Sequence, residues 1–304
     1  MEIAVIANPM ASQFTGGDHR AVMSALSKVG DVEAIWPASP EETTEAARSA
    51  VADGAGIVVA MGGDGMVHHV AQPLIGSDTA LGIIPTGTTN VVARLLGIPG
   101  RPVRAARFIV GKSRVRSVGA LRMTLGRETI ETTHHAIFSA GFGLDAVVVA
   151  KADEDPFRKY RFGSLHYATT AFSVALGSFP GTAAHIEVTA GDRRADAAAV
   201  LLQFRSIYTY FGALRLRLSK ARPNPMTALV VEKLRRSRIP QIAFDVFTRR
   251  ELSGVKGLQV WSDVSQIEVV ADPAVAAQAD GEGLGMTDRA SLRWEEDALR
   301  VLGS

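Results

Sequence analysis

Gly56-Ile57-Val58-Val59-Ala60-Met61 is an uninterrupted apolar run that passes straight into Gly62-Gly63-Asp64-Gly65 and then into a helical pattern from Met66 onward. A strand without polar alternation is buried on both faces, as in a parallel sheet covered by helices. The flanking sequence repeats this grammar. Glu2 to Ala7 reads as a strand ending at Asn8-Pro9, and Asp18 to Val29 as a helix. Val32 to Trp36 is a second strand, and Glu41 to Ala52 a helix opened by Ser39-Pro40 and closed by Gly54. Ala80 to Ile84 is a fourth strand, and Pro85-Thr86-Gly87 leads from it into a helix over Thr88 to Leu96. Strict alternation predicts an α/β domain with a parallel sheet and helices on both faces, over residues 1–112. Ligands of such sheets sit at the carboxyl ends of the strands.

After Gly111 the pattern changes. Arg114 to Leu125, Thr129 to Ser139, His185 to Ala190, Ala197 to Phe204, Ala228 to Leu234 and Ser265 to Ala271 read as strands, which predicts a β-rich second domain over 113–289. Helices are expected at Ser164 to Leu176 and Ile239 to Arg249, and two short terminal strands at Arg289 to Trp294 and Ala298 to Leu302. Gly141-Phe142-Gly143-Leu144-Asp145 reads as a turn.

Composition narrows the function. The chain has 304 residues, no cysteine and a formal net charge of +2, so disulfides, a catalytic thiolate and thiolate metal sites are excluded. The N-terminus lacks the basic, apolar and small-residue order of a secretory signal. Phe162 to Ile186 is interrupted by Gly163, Ser164, His166, Gly177, Pro180 and Gly181, too polar for a membrane span. A soluble, cytoplasmic protein is expected. Between Asp78 and Glu128, however, there is no acid, while Arg94, Arg101, Arg104, Arg107, Lys112, Arg114, Arg116, Arg122 and Arg127 all fall there. Such a segment is either a solvated surface or an attractor of anions. Nucleic acid is disfavoured as the anion, because Phe108 alone interleaves with the cations.

Three turns follow strands of the first domain: Asn8-Pro9-Met10-Ala11-Ser12, Gly62-Gly63-Asp64-Gly65, and Thr86-Gly87-Thr88-Thr89-Asn90. Glycines admit phosphate oxygens close to backbone N–H groups, and a helix N-terminus favours negative charge. One such turn is often just a tight bend, but three at successive strand ends can face one polyphosphate. Asp64 beside phosphates would repel them unless it held Mg²⁺ or a proton. Neither the P-loop pattern nor the dinucleotide fingerprint is present. Downstream, Asp280-Gly281-Glu282 sets two carboxylates on a tight turn, either a solvated bend or a general base for a hydroxyl. The pairs His68-His69 and His134-His135 do not by themselves form bidentate metal sites. Phe157 to Phe162, basic and then greasy, reads as a membrane-surface contact or as the charged entry of a buried helix.

Taken together these motifs resemble the soluble bacterial diacylglycerol kinase and sphingosine kinase-like lipid kinases, whose nucleotide domain is related to NAD kinases. The resemblance rests on Gly62 to Gly65, Leu81 to Asn90, Ala93-Arg94 with Leu96 to Pro99, Ala140 to Ala146 and Asp280 to Glu282, in the family's order. It implies an ATP- and Mg²⁺-dependent kinase acting on a lipid alcohol such as diacylglycerol, with residues 290–304 returning to complete the first domain and a β-sandwich-like second domain. Nucleotide would be held by Asn8, Pro9, Met10, Ala11, Ser12, Gly62, Gly63, Asp64, Gly65, Met66, Thr86, Gly87, Thr88 and Asn90. Glu282, with Asp280 beside it, would deprotonate the lipid hydroxyl, and Asp64 is a further candidate for that role. A peripheral membrane surface and a second copy of the chain complete the set of partners. Met66 and His69 stand where the family has Thr and Glu, and Pro223 to Ala228 carries no acid where the family often holds a structural Mg²⁺. The first two departures keep open a nucleotide- or lipid-binding homologue without catalysis, and the last argues against the second metal; an NAD kinase is the third reading.

Overall fold

The computed structural model describes residues 1–143, 146, 185–211, 214–218, 225–232, 241, 245, 252 and 254–304. The chain divides into two compact units, Met1–Ala120 with Glu295–Ser304, and Leu121–Trp294. The expected boundary after residue 112 falls earlier than this division, because the strand that follows begins in the first unit and continues into the second.

In the first unit β1 (Glu2–Ala7), β2 (Asp31–Ile35), β3 (Ile57–Gly62) and β4 (Ala80–Pro85) form a parallel sheet in the order β2-β1-β3-β4. Every residue of β3 and β4 is buried, as their unbroken apolar sequences require. Five helices follow the strands: α1 (Gly16–Leu26), α2 (Pro40–Ala52), α3 (Asp64–Leu74), α4 (Val91–Leu95) and α5 (Pro102–Gly111). α1 packs with α5 and α2 with α3. Two faces follow from the order of the strands, since right-handed crossovers from β1 outward to β2 and from β2 back to β3 lie on opposite sides. Local signals start the helices. Ser39 accepts from the Glu42 N–H at 3.2 Å, Pro40 opens α2, and Glu42 reaches back to the Ala38 N–H at 2.7 Å. α4 begins at Val91 rather than Thr88, because Asn90 sits in the left-handed region at φ 49°. α5, which the sequence pattern did not suggest, buries Pro102, Ala105, Ala106 and Ile109.

The second unit is antiparallel. Its strands are β5 (Arg114–Arg127), β6 (Ile130–Ala136), β7 (Ser139–Gly143), β8 (His185–Ala190), β9 (Arg193–Ala197), β10 (Ala199–Gln203), β11 (Thr209–Phe211), β12 (Leu214–Leu216), β13 (Met226–Val231), β14 (Leu258–Val264), β15 (Gln266–Ala279) and β16 (Glu282–Gly303). The path β14-β13-β10-β7-β15-β16 forms the main sheet, while β8 joins β15 to β9 and β5 joins β16 to β6. One core cluster is built on Leu121, Phe142, Leu202, Trp261 and Leu292.

Four sequence expectations are corrected here. The strand expected over Thr129 to Ser139 is two strands, because the Ile137 and Phe138 N–H groups leave the ladder for a carboxylate described below. Gly141-Phe142-Gly143 is not a turn but lies in β7. A side chain on Gly143 would come within 2.5 Å of the Ala198 carbonyl, so the glycine serves close strand packing. β15 runs past Ala271 to Ala279, with Pro273 placed where the register with β16 shifts. The two expected terminal strands are one, β16, whose exposed Glu296-Asp297 imitates a turn. The expected helices at Ser164 to Leu176 and Ile239 to Arg249, the Phe157 to Phe162 segment, Asp145 and the Pro223-Asn224 turn lie outside the described residues or nearly so. Among the described residues no helix is long and apolar enough to cross a membrane.

The end of β16 belongs to the first unit, where Val301 pairs in parallel with Leu81 of β4. Arg300 donates to the Asp78 carbonyl at 2.8 Å, and Leu299 is fully buried. Leu299→Ala is therefore expected to lower stability by ~2–5 kcal/mol through the cavity it leaves, read as a fall in the urea midpoint. An unchanged midpoint would show that the last strand does not support the first unit.

Candidate active site

The three turns of the first unit are bound to one another. The Asn8 N–H donates to the Met61 carbonyl at 3.0 Å, and the Asn8 Oδ1 accepts from the Met10 N–H at 2.8 Å, which fixes Pro9 and leaves Met10 exposed. Just beyond Ala11 and Ser12, the Gln13 N–H donates to the Thr86 carbonyl at 2.8 Å and its Nε2 to the Gly87 carbonyl at 3.0 Å. The hydroxyls of Ser12 and Thr88 lie 3.0 Å apart. The first turn is thus laced to the third, and Gln13, absent from the sequence-based set, is the main lace.

The second turn meets the third through glycine backbones. A Cβ on Gly87 would lie 2.5 Å from the Gly63 Cα, and one on Gly62 would lie 2.5 Å from the Met66 Cβ. Neither position admits a side chain without movement of its neighbours. Asn90 holds the third turn closed, accepting from the Gly87 N–H at 3.0 Å and donating to its carbonyl at 2.7 Å.

Two features mark this place as suited to an anion. α3 starts at Asp64 behind the cap Gly63, which has no side chain to bind the free N–H groups of the first helical turn, Gly65 and Met66 among them. Thr86 is fully buried, and its hydroxyl has no protein partner. Unsatisfied donors at a helix N-terminus beside hydroxyls form a phosphate cradle.

Asp64 does something the sequence did not suggest. Its Oδ1 accepts from the Val92 N–H at 3.1 Å, so a carboxylate from α3 caps α4, whose own cap Asn90 turns its side chain to Gly87 and not to the helix. A single carboxylate at the start of α3 fits Mg²⁺ held largely by a nucleotide's own phosphates. Among the described residues no cluster of three or more His, Asp or Glu is placed to hold a metal alone. His68 is buried in α3 with the His69 ring edge-on at 5.1 Å, and His134 and His135 lie in β6.

A cluster missed in sequence lies beyond the first turn. Phe14, His19 and Trp36 pack together, with His19 4.5 Å from Trp36 between ring centroids. Burial, aided by the Arg20 charge, holds the His19 imidazole below its usual pKa, and its buried Nε2 has no partner. Burial thus favours the neutral ring. No sequence periodicity connects residues of a loop, a helix and a strand end.

In the second unit Ala279-Asp280-Gly281-Glu282 joins β15 to β16, with Ala279 paired to Glu282. Asp280 and Gly281 have φ of 55° and 84°, the left-handed pair that a two-residue hairpin needs. The Asp280 side chain turns inward and is buried. Its carboxylate accepts from the N–H groups of Ile137 at 2.8 Å, Phe138 at 2.8 Å and Ser139 at 3.2 Å, and its own N–H donates to the Ser139 carbonyl at 2.8 Å. Gln278, also buried, accepts from the Gly281 N–H at 2.9 Å. Asp280 is therefore committed to holding the turn, and Glu282, half-buried at the start of β16, is the better candidate for proton transfer.

Residues 2–122 match the model of the diacylglycerol kinase catalytic domain. This segment belongs to that domain family. A diacylglycerol kinase of Mycobacterium tuberculosis is 34% identical over 113 residues, 36% of each chain. A Xanthomonas campestris protein named Probable lipid kinase YegS-like is 32% identical over 177 residues, 55% of this chain and 54% of that one. The chain thus spans about a third to half of these relatives' length. In fold it is similar to a diacylglycerol kinase structure from Bacillus anthracis, with TM-score 0.70 at 15% identity, covering 100% of this chain and 97% of that one. It is also similar to yeast NADH kinase, with TM-score 0.51 at 12% identity over 100% and 84% of the two chains. All three phosphate-type turns fall within the diacylglycerol kinase-type segment, whereas Asp280 and Glu282 lie beyond it.

Gly87→Ala is expected to push the second and third turns apart and weaken binding of a non-hydrolysable ATP analogue by about tenfold or more, measured by calorimetry. Asp280→Ala orphans three buried N–H groups and is expected to cost ~3 kcal/mol or more, seen as a lower thermal midpoint. A variant melting like the parent would refute the holding role.

Proposed function

We propose that the chain is an ATP-dependent lipid kinase that transfers the γ-phosphoryl group to the hydroxyl of diacylglycerol or a similar lipid. The observation that carries this reading is the joining of three turns, through Gly63, Gly87 and Gln13, into one phosphate cradle inside a diacylglycerol kinase-type domain. Phosphoryl transfer asks little of a protein beyond held phosphates, neutralised charge and an acceptor for the hydroxyl proton. In this reading the α3 N-terminus and the Thr86 and Thr88 hydroxyls bind the phosphates, and Asp64 holds Mg²⁺. Mg²⁺ supplies neutralisation of phosphate charge. Glu282 takes the proton of the attacking hydroxyl, and Asp280 keeps its turn rigid.

A second reading, a nucleotide- or lipid-binding homologue without catalysis, is favoured by Met66. This residue follows the phosphate turn and fills the space over Gly62 with methylene groups where the resemblance leads one to expect a hydroxyl. The two readings separate in one experiment, transfer of radiolabel from ATP to a lipid extract, with NAD as a control acceptor. Labelled lipid alcohol is expected, and Glu282→Gln is expected to lower kcat by roughly 10²–10⁴ while ATP binding and the thermal midpoint hold. A protein that binds ATP but labels no lipid would sink the kinase reading and leave the second.

A further inference from the structure

α5 carries charge against its own helix physics. Arg101, Arg104 and Arg107 recur every third residue, so they flank one side of the helix, and all are exposed. Like charges at that spacing repel one another. A helix N-terminus favours anions, yet the first turn of α5 holds no acid, and its cap, Arg101, makes no side-chain bond to the helix. The opposite side, Pro102, Ala105, Ala106 and Ile109, is buried and accounts for why the helix forms. Exposed Lys112, Arg114 and Arg116 follow in the same unit, with Val115 also exposed between the last two.

These charges are not used internally. Among the described residues, Arg101, Arg104, Arg107, Lys112 and Arg114 have no ion-pair partner, whereas Arg48, Arg194 and Arg300 each have one and Arg289 has two. Arg116 donates to the Ser304 carbonyl. Asp18 lines with Arg101, Pro102, Val103 and Arg104 a recess of about 300 Å³, and its carboxylate already accepts from the Thr15 hydroxyl at 2.9 Å. Where a segment breaks the local rules without internal compensation, an external partner is the physical explanation.

We propose that the α5 face is a docking surface for an anionic bilayer, with its arginines meeting lipid phosphates and Val115 resting at the interface. The choice of a bilayer rests on the lipid-kinase reading, because an acceptor dissolved in a membrane must be reached at its surface. The charge sign fits, since each cation close to an anionic leaflet adds to binding. A nucleic acid fits less well, because no exposed aromatic interleaves with these cations and Phe108 is half-buried.

The test uses the full chain and vesicles of phosphatidylcholine with or without about 30% phosphatidylglycerol, the anionic component that sets the surface potential. The protein is expected to sediment with the anionic vesicles and not the neutral ones, and to be released near about 0.5 M salt, where exposed charges are screened. Arg101→Gln/Arg104→Gln/Arg107→Gln is expected to lower the partition coefficient on the order of 100-fold. Its thermal midpoint should equal or exceed that of the parent, since the replaced side chains are exposed and mutually repulsive. Arg193→Gln/Arg194→Gln, in the other unit, should bind as the parent does. Equal binding to neutral vesicles, undiminished binding by the triple variant, or binding to a double-stranded oligonucleotide instead of vesicles would each overturn the proposal. Phosphorylation of acceptor in neutral detergent micelles is scored separately. If the parent is inactive there yet binds anionic vesicles, the kinase reading fails and the docking surface stands; if it is active but ignores vesicles, the reverse holds.

Discussion

Two glycines pressed backbone to backbone hold the first unit's site together. A Cβ on Gly87 would sit 2.5 Å from the Gly63 Cα, so the turns that follow β3 and β4 converge because Gly87 carries no side chain. From that contact the rest follows. Gly87 presents its carbonyl to Gln13 and Asn90, Asn90 takes the left-handed conformation that delays α4, and α4 then receives its cap from Asp64 across the turn. The joining of the three turns is a consequence of strand-end packing.

The second unit uses a carboxylate for the same purpose. Asp280 gathers three consecutive N–H groups from the chain between β6 and β7, which ends one strand, starts the next and sets the hairpin in which Glu282 stands. A buried carboxylate is tolerable only with such saturation by donors. The Asp-Gly pair therefore has two separate reasons to be where it is, the left-handed turn and the bound amides. The inward turn of Asp280 to bind these amides follows from burial rather than from residue type.

Much of this was legible in the residues. The strands β1, β3 and β4 could be read to within a residue because burial on both faces leaves an unbroken apolar signature, and the turns at their ends because glycine and asparagine have few other uses there. Less legible were segments whose structure is decided by partners distant in sequence. Arg193–Ala197 forms β9 although it is charged and largely exposed, because β8 offers it a ladder. Gly141 and Gly143 resembled a turn and lie in a strand, and at Gly143 the Ala198 carbonyl leaves no room for a side chain.

The sequence by itself determined the parallel α/β unit, the β-rich unit and the identity of the three turns, because periodicity and glycine placement are local properties of the chain. It also determined that one long stretch bears only positive charge. Tertiary structure alone decided which carboxylate does what: Asp64 caps a helix 28 residues further along, and Asp280 binds amides more than 140 residues before it. It alone decided, too, that the cations of α5 stand exposed and without ion-pair partners among the described residues. Hydrogen-bond partners and exposure depend on what the fold brings close in space, and no local pattern encodes that distance.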